Sequence, residues 1–192
     1  LNGFFRFDNN NIQIDSLNAQ VNKSDLRVKG KVNNLLAYLF LEEESLSIYT
    51  NMKSNKIVLE DLLFNTEDAA EDEAYTVQLP KNVSFSFKAQ IDTFNFRRFS
   101  AQELTGNIRL KNELLTATEL AFYALDGKIN GDLAIDNSED DNILITSKAK
   151  LTNVNINQLF YQFENFGQDY IVADNLKGIA TSNIEFRSER LS

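Results

Sequence analysis

The chain has 192 residues, 43% of them hydrophobic and 24% charged, and is therefore long enough to bury the core of one large domain or two small ones. It contains no Cys and no His, which excludes disulfides, Ser-His-Asp and Cys-His catalysis, and the commonest zinc ligand. Its formal net charge of −9 would repel phosphate backbones, so we expect no nucleic-acid partner.

The first 33 residues alternate apolar and polar side chains, a pattern typical of β-strands with one solvated face. The apolar positions run from Phe5 to Val32 and are interrupted by polar turns at 8–11 and 22–25. These connections are too short for helical crossovers, so we expect antiparallel pairing.

Residues 33–44 change period and predict a short helix, with Asn34 as its N-cap. Strand alternation resumes from Leu46 to Leu59, and the apolar residues 62–64 end this strand-and-helix unit. The acidic segment 65–74 then predicts a solvated loop.

The cleanest alternation in the chain runs from Val83 to Ile91 and predicts a strand. Phe94, Phe96 and Phe99 after it suggest a passage from strand to helix. Further strands are predicted from there to Ile135, and a last one carries Ile184 and Phe186. Asn142–Asn165 combines both patterns: a period-2 strand that continues past a bend at 152–153 through Val154 and Ile156, and then a short amphipathic helix with Leu159, Phe160 and Phe163.

An internal repeat relates residues 24–64 to residues 125–165. Ser45–Leu63 superposes without gaps on Asn142–Phe160, and Gly30 in the preceding strand aligns with Gly131. Repeated strand-turn-short-helix units predict a sheet that grows by addition rather than a closed barrel. We therefore expect one mainly β domain over residues 1–192, with an extended, curved, mostly antiparallel sheet and an apolar concave face.

The sequence offers no convincing site for catalysis or for a metal. The acidic turn 136–141 resembles half of a calcium loop, but it lacks the central Gly and has Ser147 where a bidentate Glu is needed. Ser147 and Lys150 match an S-x-x-K spacing, yet residues three apart in a strand point to opposite faces. The remaining carboxylates are scattered, so we expect a protein that is not an enzyme and has no catalytic residues, metal or cofactor.

The long apolar strand face is the main functional feature, because a single-layer sheet with this many apolar residues needs a cover. A second sheet or the short helices could cover it as an ordinary core. Alternatively, the face stays partly open as a groove that accepts apolar chains. The residues expected to contact such chains are Val83, Phe85, Phe87, Ala89, Ile91, Ile129, Leu133, Ile135, Ile143 and Ile145.

Leu159, Phe160, Phe163 and Phe166 follow the last period-2 strand of the repeat unit. We expect these four residues to act as structural anchors that fix the helix against the sheet.

Four stretches resemble the AsmA-like family of bacterial envelope proteins, in particular the C-terminal region of its Bacteroidota members. They are SDLRVKGKVNNLLAYL at 24–39, LPKNV at 79–83, LFYQFENFGQ at 159–168 and NLKG at 175–178. The resemblance spans most of the chain, and its motifs are structural rather than catalytic.

The resemblance implies a periplasmic, β-rich protein that is anchored to the inner membrane by a segment absent from this sequence, which would be a fragment of a longer chain. It also implies a hydrophobic groove for phospholipids or other acyl-chain lipids, used in lipid transport between the membranes or in outer-membrane biogenesis, with envelope proteins as possible partners. The alternative is a structural or scaffolding module for outer-membrane protein assembly, with a filled core and no ligand.

Overall fold

A computed structural model of the chain describes residues 1–41, 44–63, 79–139 and 142–191. Ten strands within these residues form one open sheet, and each strand lies beside its neighbours in the sequence. The strands are β1 (Asn2–Asp8), β2 (Asn11–Val21), β3 (Ser24–Asn33), β4 (Leu46–Val58), β5 (Val83–Phe96), β6 (Phe99–Lys111), β7 (Leu114–Ala124), β8 (Gly127–Glu139), β9 (Asn142–Asn155) and β10 (Ile179–Leu191). The predicted mainly β, mostly antiparallel sheet is confirmed.

Short helices lie between some of the strands. They are α1 (Leu35–Phe40) after β3, α2 (Leu59–Leu63) after β4, α3 (Ile156–Gln162) after β9, and two 3-10 segments, Glu164–Gly167 and Ala173–Asn175. In their main contacts with the sheet, α1 meets β2 and β4, α2 meets β5, and α3 meets β9. The described part of the chain is therefore a single sheet with helices at its ends, not two packed sheets.

The pairing of β4 with β5 is parallel, whereas every other pair in the sheet is antiparallel. Leu46 lies opposite Val83, and Val58 lies opposite Asn95. The chain therefore leaves β4 at one end of the sheet and enters β5 at the other. The connection, residues 59–82, is long enough for such a crossover. The predicted acidic loop 65–74 lies outside the described residues.

The register keeps alternate side chains aligned across the whole sheet, because directly opposed residues share a face. One face, which we call the apolar face, contains the row Val32, Ile48, Phe85, Leu110, Leu115, Ile135 and Ile145. The opposite face, the polar face, contains the row Lys31, Tyr49, Ser86, Arg109, Thr116, Ala134, Thr146 and Arg187.

Left-handed residues mark irregular points in three strands. Glu103, Glu119 and Asn153 have φ values of 52°, 54° and 56°, and each lies at or beside a shift in register. Such bulges bend a strand and increase its twist. The bend predicted at 152–153 is such a bulge, inside β9.

The strand-to-helix passage expected at Phe94–Phe99 is wrong. The strand β5 continues to Phe96, which pairs directly with Phe99 across a turn of two residues. Arg97 in this turn has a φ of 51°. Two residues cannot hold a helical turn, so the three phenylalanines belong to a hairpin.

The capping role expected of Asn34 is also wrong. Asn34 precedes α1 but is left-handed, with φ 66° and ψ 27°, and its side chain caps no amide of the helix. Its amide nitrogen instead donates to Glu44 and to the Ser45 carbonyl, at 2.8 and 3.0 Å, and its Oδ1 accepts from Asn10. The residue ties the start of α1 to the turn between β1 and β2 and to the residues just before β4.

Two buried clusters lie toward the end of the sheet at which α2 and α3 are placed. One comprises Ile57, Ala89 and Ile91. The other comprises Ala101, Ala124, Leu125, Ile129, Leu151 and Val154. Both gather residues from neighbouring strands, and Leu159 of α3 packs against the second cluster.

The repeat-like arrangement of strands is visible in the fold. In each copy two antiparallel strands lead into a short helix: β3 and β4 precede α2, and β8 and β9 precede α3. The aligned glycines share a constraint as well. A Cβ on Gly30 would lie 2.0 Å from the Tyr49 carbonyl oxygen, and one on Gly131 would lie 2.2 Å from that of Lys148.

Candidate functional site

The apolar face is the candidate site, and the register places all ten expected contact residues on it. Five alternate along β5 from Val83 to Ile91, and the others lie on β8 and β9. The two groups share a face because Phe85 is connected to Ile135 through the opposed pairs at Leu110 and Leu115.

The centre of this face is more shielded than its margins. Ala89, Ile91 and Ile129 are buried, and the other seven expected contact residues are half-buried. At the two edge strands, by contrast, Phe7 is 74% exposed and Phe186 is 49% exposed. An apolar molecule therefore has access to this surface at the half-buried residues and at the margins, and not at the three buried positions.

The apolar face is wider than sequence reasoning indicated, because the expected contacts came from β5, β8 and β9 only. The register adds a continuation on every other strand: Phe5, Ile14, Val28, Ile48, Ile108, Ala117 and Phe186. Each of these strands has its own period-2 alternation, so the sequence indicates which of its side chains are on the apolar side. The sequence does not indicate the order of the strands, which aligns these side chains across the sheet.

A chain of aromatic contacts joins α3 and the segment after it to the sheet. The Phe99 ring lies 6.4 Å from Phe94, 6.0 Å from Phe122 and 5.5 Å from Phe163, measured between ring centroids. Phe166 continues the chain, 5.7 Å from Phe163 and 5.2 Å from Phe160.

The expected anchors thus touch the sheet or one another, but none of them is fully buried. Leu159 packs against the second buried cluster and Phe160 is half-buried. Phe163 is 43% exposed to solvent and Phe166 is 52% exposed. They form an aromatic surface beside the helix as well as a link to the sheet.

The net negative charge lies outside the described sheet. Nine acidic residues fall at 42–43, 67–73 and 140–141, and the described residues carry equal numbers of acidic and basic side chains. The polar face of β3 to β5 is in fact basic: it carries Arg27, Lys29, Lys31, Lys53 and Lys88. The expectation of no nucleic-acid partner relied on net charge and stays a prediction.

Three surface depressions, of about 520, 360 and 380 Å³, are lined mostly by residues of the polar face. Lys53 and Gln90 line two of them. A twisted sheet is saddle-shaped, so each face is concave along one diagonal. These depressions follow that twist on the polar side.

The carboxyl groups with shifted pKa values have structural roles. Burial raises the pKa of Asp25, but hydrogen bonds from the Lys56 and Asn55 amides and the Ser54 hydroxyl outweigh it, so the pKa is lowered overall. The hydrogen bond from Arg6 lowers the pKa of Asp15. Groups held ionised in this way accept hydrogen bonds and are poor proton donors.

Asp136 is a third such carboxyl. Hydrogen bonds from the Ser138 hydroxyl and amide lower its pKa. Both residues lie within β8, where the sequence predicted a turn, so the side chain stabilises the irregular end of the strand at the register shift between Asp136 and Glu139. Asp140 and Asp141 of the suggested calcium loop lie outside the described residues.

The geometry supports neither the Ser147–Lys150 dyad nor a metal site. Ser147 lies on the apolar face and Lys150 on the polar face, so they form no dyad. Across the described ranges, no group of three or more acidic side chains is placed to hold a metal ion. No helix of the described residues is long and apolar enough to cross a membrane.

No protein-family model, no curated protein and no solved structure matches the chain. The likeness to AsmA-like proteins therefore rests on the four sequence stretches alone.

Proposed function

We propose that this chain is an AsmA-like domain of the bacterial envelope, and that it shields the acyl chains of phospholipids along its apolar face without catalysing a reaction. The domain would lie in the periplasm, as part of a protein anchored to the inner membrane, and would serve lipid transport or outer-membrane biogenesis. The observation that carries the proposal is a row of directly opposed apolar side chains that runs through nine strands, from Phe7 in β1 to Ile145 in β9.

The dimensions of the apolar face suit a lipid tail. Neighbouring strands lie about 4.8 Å apart, so ten strands give a surface roughly 45 Å wide. Each methylene group transferred from water to an apolar surface contributes about 0.8 kcal/mol. Contact with even part of an acyl chain would therefore bind a lipid, while its headgroup stays in water at the rim.

The aromatic side chains support the same proposal. Phe85 and Phe87 lie on adjacent apolar-face positions of β5 with ring centroids 5.6 Å apart, and both are half-buried. Flat rings in a row offer a continuous surface to a flexible hydrocarbon chain, because they add contact area with little loss of conformational freedom.

The second candidate function is a scaffolding module for outer-membrane protein assembly that binds no lipid. The buried centre of the face favours it, because Ala89 and Ile91 are only 3% and 6% exposed. A face closed along its whole length would be an ordinary core. The two candidates therefore differ in whether the half-buried residues accept a ligand.

The test compares two variants on adjacent positions of β5. Phe87→Asp places a charge on the apolar face, and Ser86→Asp places the same charge on the polar face. We expect the purified wild-type chain to carry extractable phospholipid and to bind a fluorescent fatty acid, Phe87→Asp to lose both while retaining its circular dichroism spectrum, and Ser86→Asp to retain both. A wild-type chain free of lipid and unable to take up the fatty acid, with Phe87→Asp unfolded, would instead establish a packed core.

A further inference from the structure

A cluster of exposed basic side chains lies on the polar face of β3, β4 and β5. These strands are inside the sheet, between β2 and β6. The basic residues are Arg27, Lys29, Lys31, Lys53 and Lys88. From Arg27 to Lys31, and at the opposed positions of β4 and β5, this face has no acidic side chain. The cluster is therefore a local region of positive charge in a described sheet whose charges balance.

Three lysines of this cluster are not engaged in ion pairs. Lys29, Lys53 and Lys88 form no salt bridge and no side-chain hydrogen bond with any other described residue. Arg27, by contrast, donates to Asn55 Oδ1 at 2.6 Å. The three ammonium groups are therefore available to an anion from outside the sheet.

The register places these three lysines around Asn51. Lys29 and Lys88 lie directly opposite Asn51 on its two sides, which puts their Cα atoms roughly 10 Å apart. Lys53 follows Asn51 by two residues on the same face, about 7 Å along the strand. Long, flexible lysine side chains in this arrangement can converge on one anionic group, and the Asn51 amide adds a hydrogen-bond donor.

A depression of about 360 Å³ in the polar face lies beside this triangle. Lys53 and Lys88 line it together with Asn51 and Asn107. Glu119 lies at its far side, where the Glu119 carboxylate accepts a hydrogen bond from Asn107 at 2.7 Å. Pockets for small ligands have volumes of about 300–1,000 Å³, so the depression has room for the charged part of a ligand.

The second copy of the repeat shows that the fold does not require this charge. In the alignment of β8 with β3, Asn130 and Asp132 occupy the positions of Lys29 and Lys31. Asp132 lies directly opposite Lys148, and opposite charges at opposed positions stabilise a strand pair. The same architecture therefore accepts a balanced set of charges.

The basic cluster also weakens the strands that carry it. Arg27 lies directly opposite Lys53, and like charges at opposed positions destabilise a strand pair. Residues that lower stability and that the architecture does not require are typical of binding sites, where function and stability conflict. The cluster therefore fits a site better than a solvated face.

The amount of charge favours phosphate as the ligand group. A carboxylate carries a single negative charge, whereas a phosphate monoester carries about −1.5 to −2 at pH 7 and has three strong acceptor oxygens. Lysine binds phosphate as a point charge, and neutral amides donate to its remaining oxygens. Three lysines around one amide therefore match a phosphate group better than a single carboxylate.

We propose that the polar face of β3–β5 is a binding site for a phosphate-bearing ligand, with Lys29, Lys53 and Lys88 as its charged contacts and Asn51 as a hydrogen-bond donor. The phosphate belongs either to a lipid headgroup at a membrane surface or to a soluble phosphorylated molecule, and the chemistry of recognition is the same. The site does not depend on lipid binding at the apolar face, because the sheet separates the two faces.

The experiment offers two phosphate probes to the purified 192-residue chain at low salt. Inorganic tripolyphosphate, followed by isothermal titration calorimetry, represents the soluble ligand. Vesicles of phosphatidylcholine with phosphatidic acid, followed by co-sedimentation, represent the headgroup, and vesicles of phosphatidylcholine alone set the baseline. We expect the wild type to bind at least one probe and to release it at high salt, because ions screen exposed charges. Binding of tripolyphosphate alone identifies a soluble ligand, and sedimentation that requires phosphatidic acid identifies a headgroup.

Two triple variants with the same net charge separate a local site from a general charge effect. The site variant is Lys29→Gln/Lys53→Gln/Lys88→Gln. The matched control, on the polar face outside the cluster, is Lys111→Gln/Lys148→Gln/Lys150→Gln. We expect the site variant to bind the probe roughly tenfold more weakly or worse, and the control to stay within about twofold of the wild type.

Two measurements show that such a loss is local. The melting temperature of the site variant should be no lower than that of the wild type, because the repulsion between Arg27 and Lys53 is removed. Uptake of the fluorescent fatty acid, which reports on the apolar face, should be equal in all three proteins. A wild type that binds neither probe, equal weakening of binding in both variants, or binding of a single-stranded oligonucleotide without binding of either probe would each overturn the proposal.

Discussion

Single residues hold the junction between β3 and the end of β4. The Ser24 hydroxyl is fully buried, accepts from the Val58 amide at 2.9 Å and donates to the Val58 carbonyl. Beside it, Asp25 Oδ1 accepts from the Asn55 and Lys56 amides at 2.9 and 2.8 Å. These bonds satisfy backbone groups where the strand gives way to a helix.

Asp25 should make stability depend on pH. Its pKa is lowered in the folded state, so its contribution is fully present above the unfolded value of about 3.9 and is lost as pH falls through the folded pKa. We expect Asp25→Asn to lower the free energy of unfolding by about 1–2 kcal/mol at pH 7. Urea titrations at pH 7, 5 and 3 check this: the difference between wild type and variant should shrink at pH 3. An equal difference at all three pH values would contradict it, and the exposed Asp92→Asn serves as control.

Gly131 is required by a close approach of the neighbouring backbone. A Cβ there would lie 2.2 Å from the Lys148 carbonyl oxygen and 2.9 Å from the Ala149 Cα, and neither atom can move without disturbing the ladder. We expect Gly131→Ala to destabilise the protein by about 3 kcal/mol. Thermal unfolding measures the effect, with the exposed Lys150→Ala as control. A melting temperature within 2 °C of the wild type would show that the two strands separate more easily than we expect.

At the scale of elements, the helix α3 begins at a side-chain cap. Asn155 Oδ1 accepts from the Gln158 amide at 3.3 Å, and its Nδ2 donates to Asp126 at 3.0 Å. We expect Asn155→Ala to cost about 1 kcal/mol in unfolding free energy. Chemical denaturation tests this against Asn183→Ala on the exposed face of β10, and equal stability of the two variants would contradict the capping role.

The strands were predictable where one face is apolar and the other wet. The alternation at Val83–Ile91 is such a case, and it lies inside β5. The hairpin at Phe96–Phe99 was not predicted, because three aromatic residues at mixed spacing fit a helix and a turn equally well. The parallel pairing of β4 with β5 was also missed, since the alternation of a strand carries no information about which neighbour it meets.

The candidate site was predictable in kind and underestimated in extent. Alternation correctly separates Phe85 and Phe87 from Ser86, because period 2 alone decides the face. The burial of a side chain, in contrast, could not be predicted from alternation. Ala89 and Phe163 come from equally apolar stretches, yet one is buried and the other is 43% exposed, because burial depends on the strands and helices that happen to be adjacent.

At the scale of the molecule, the fold separates two kinds of surface. Because each strand lies beside its neighbour in sequence, the alternation within the strands gives the sheet one apolar face and one polar face, and its phase changes at the bulges at Glu103, Glu119 and Asn153. The charges of the described sheet balance, so the acidic excess of the chain belongs to the segments between its strands. The proposed function places a hydrocarbon chain on the apolar side of this sheet and leaves the polar side in water.

The central claim, that the apolar face contacts acyl chains, is tested most directly by photocrosslinking along β5. p-Benzoylphenylalanine is introduced in turn at Val83, Ser84, Phe85, Ser86, Phe87 and Lys88, and each protein is irradiated in bacterial cells and analysed for attached lipid by mass spectrometry. We predict lipid adducts at Val83, Phe85 and Phe87 and none at the three alternate positions, because successive side chains of a strand point to opposite faces. Adducts at neither set, or at both sets equally, would contradict the claim.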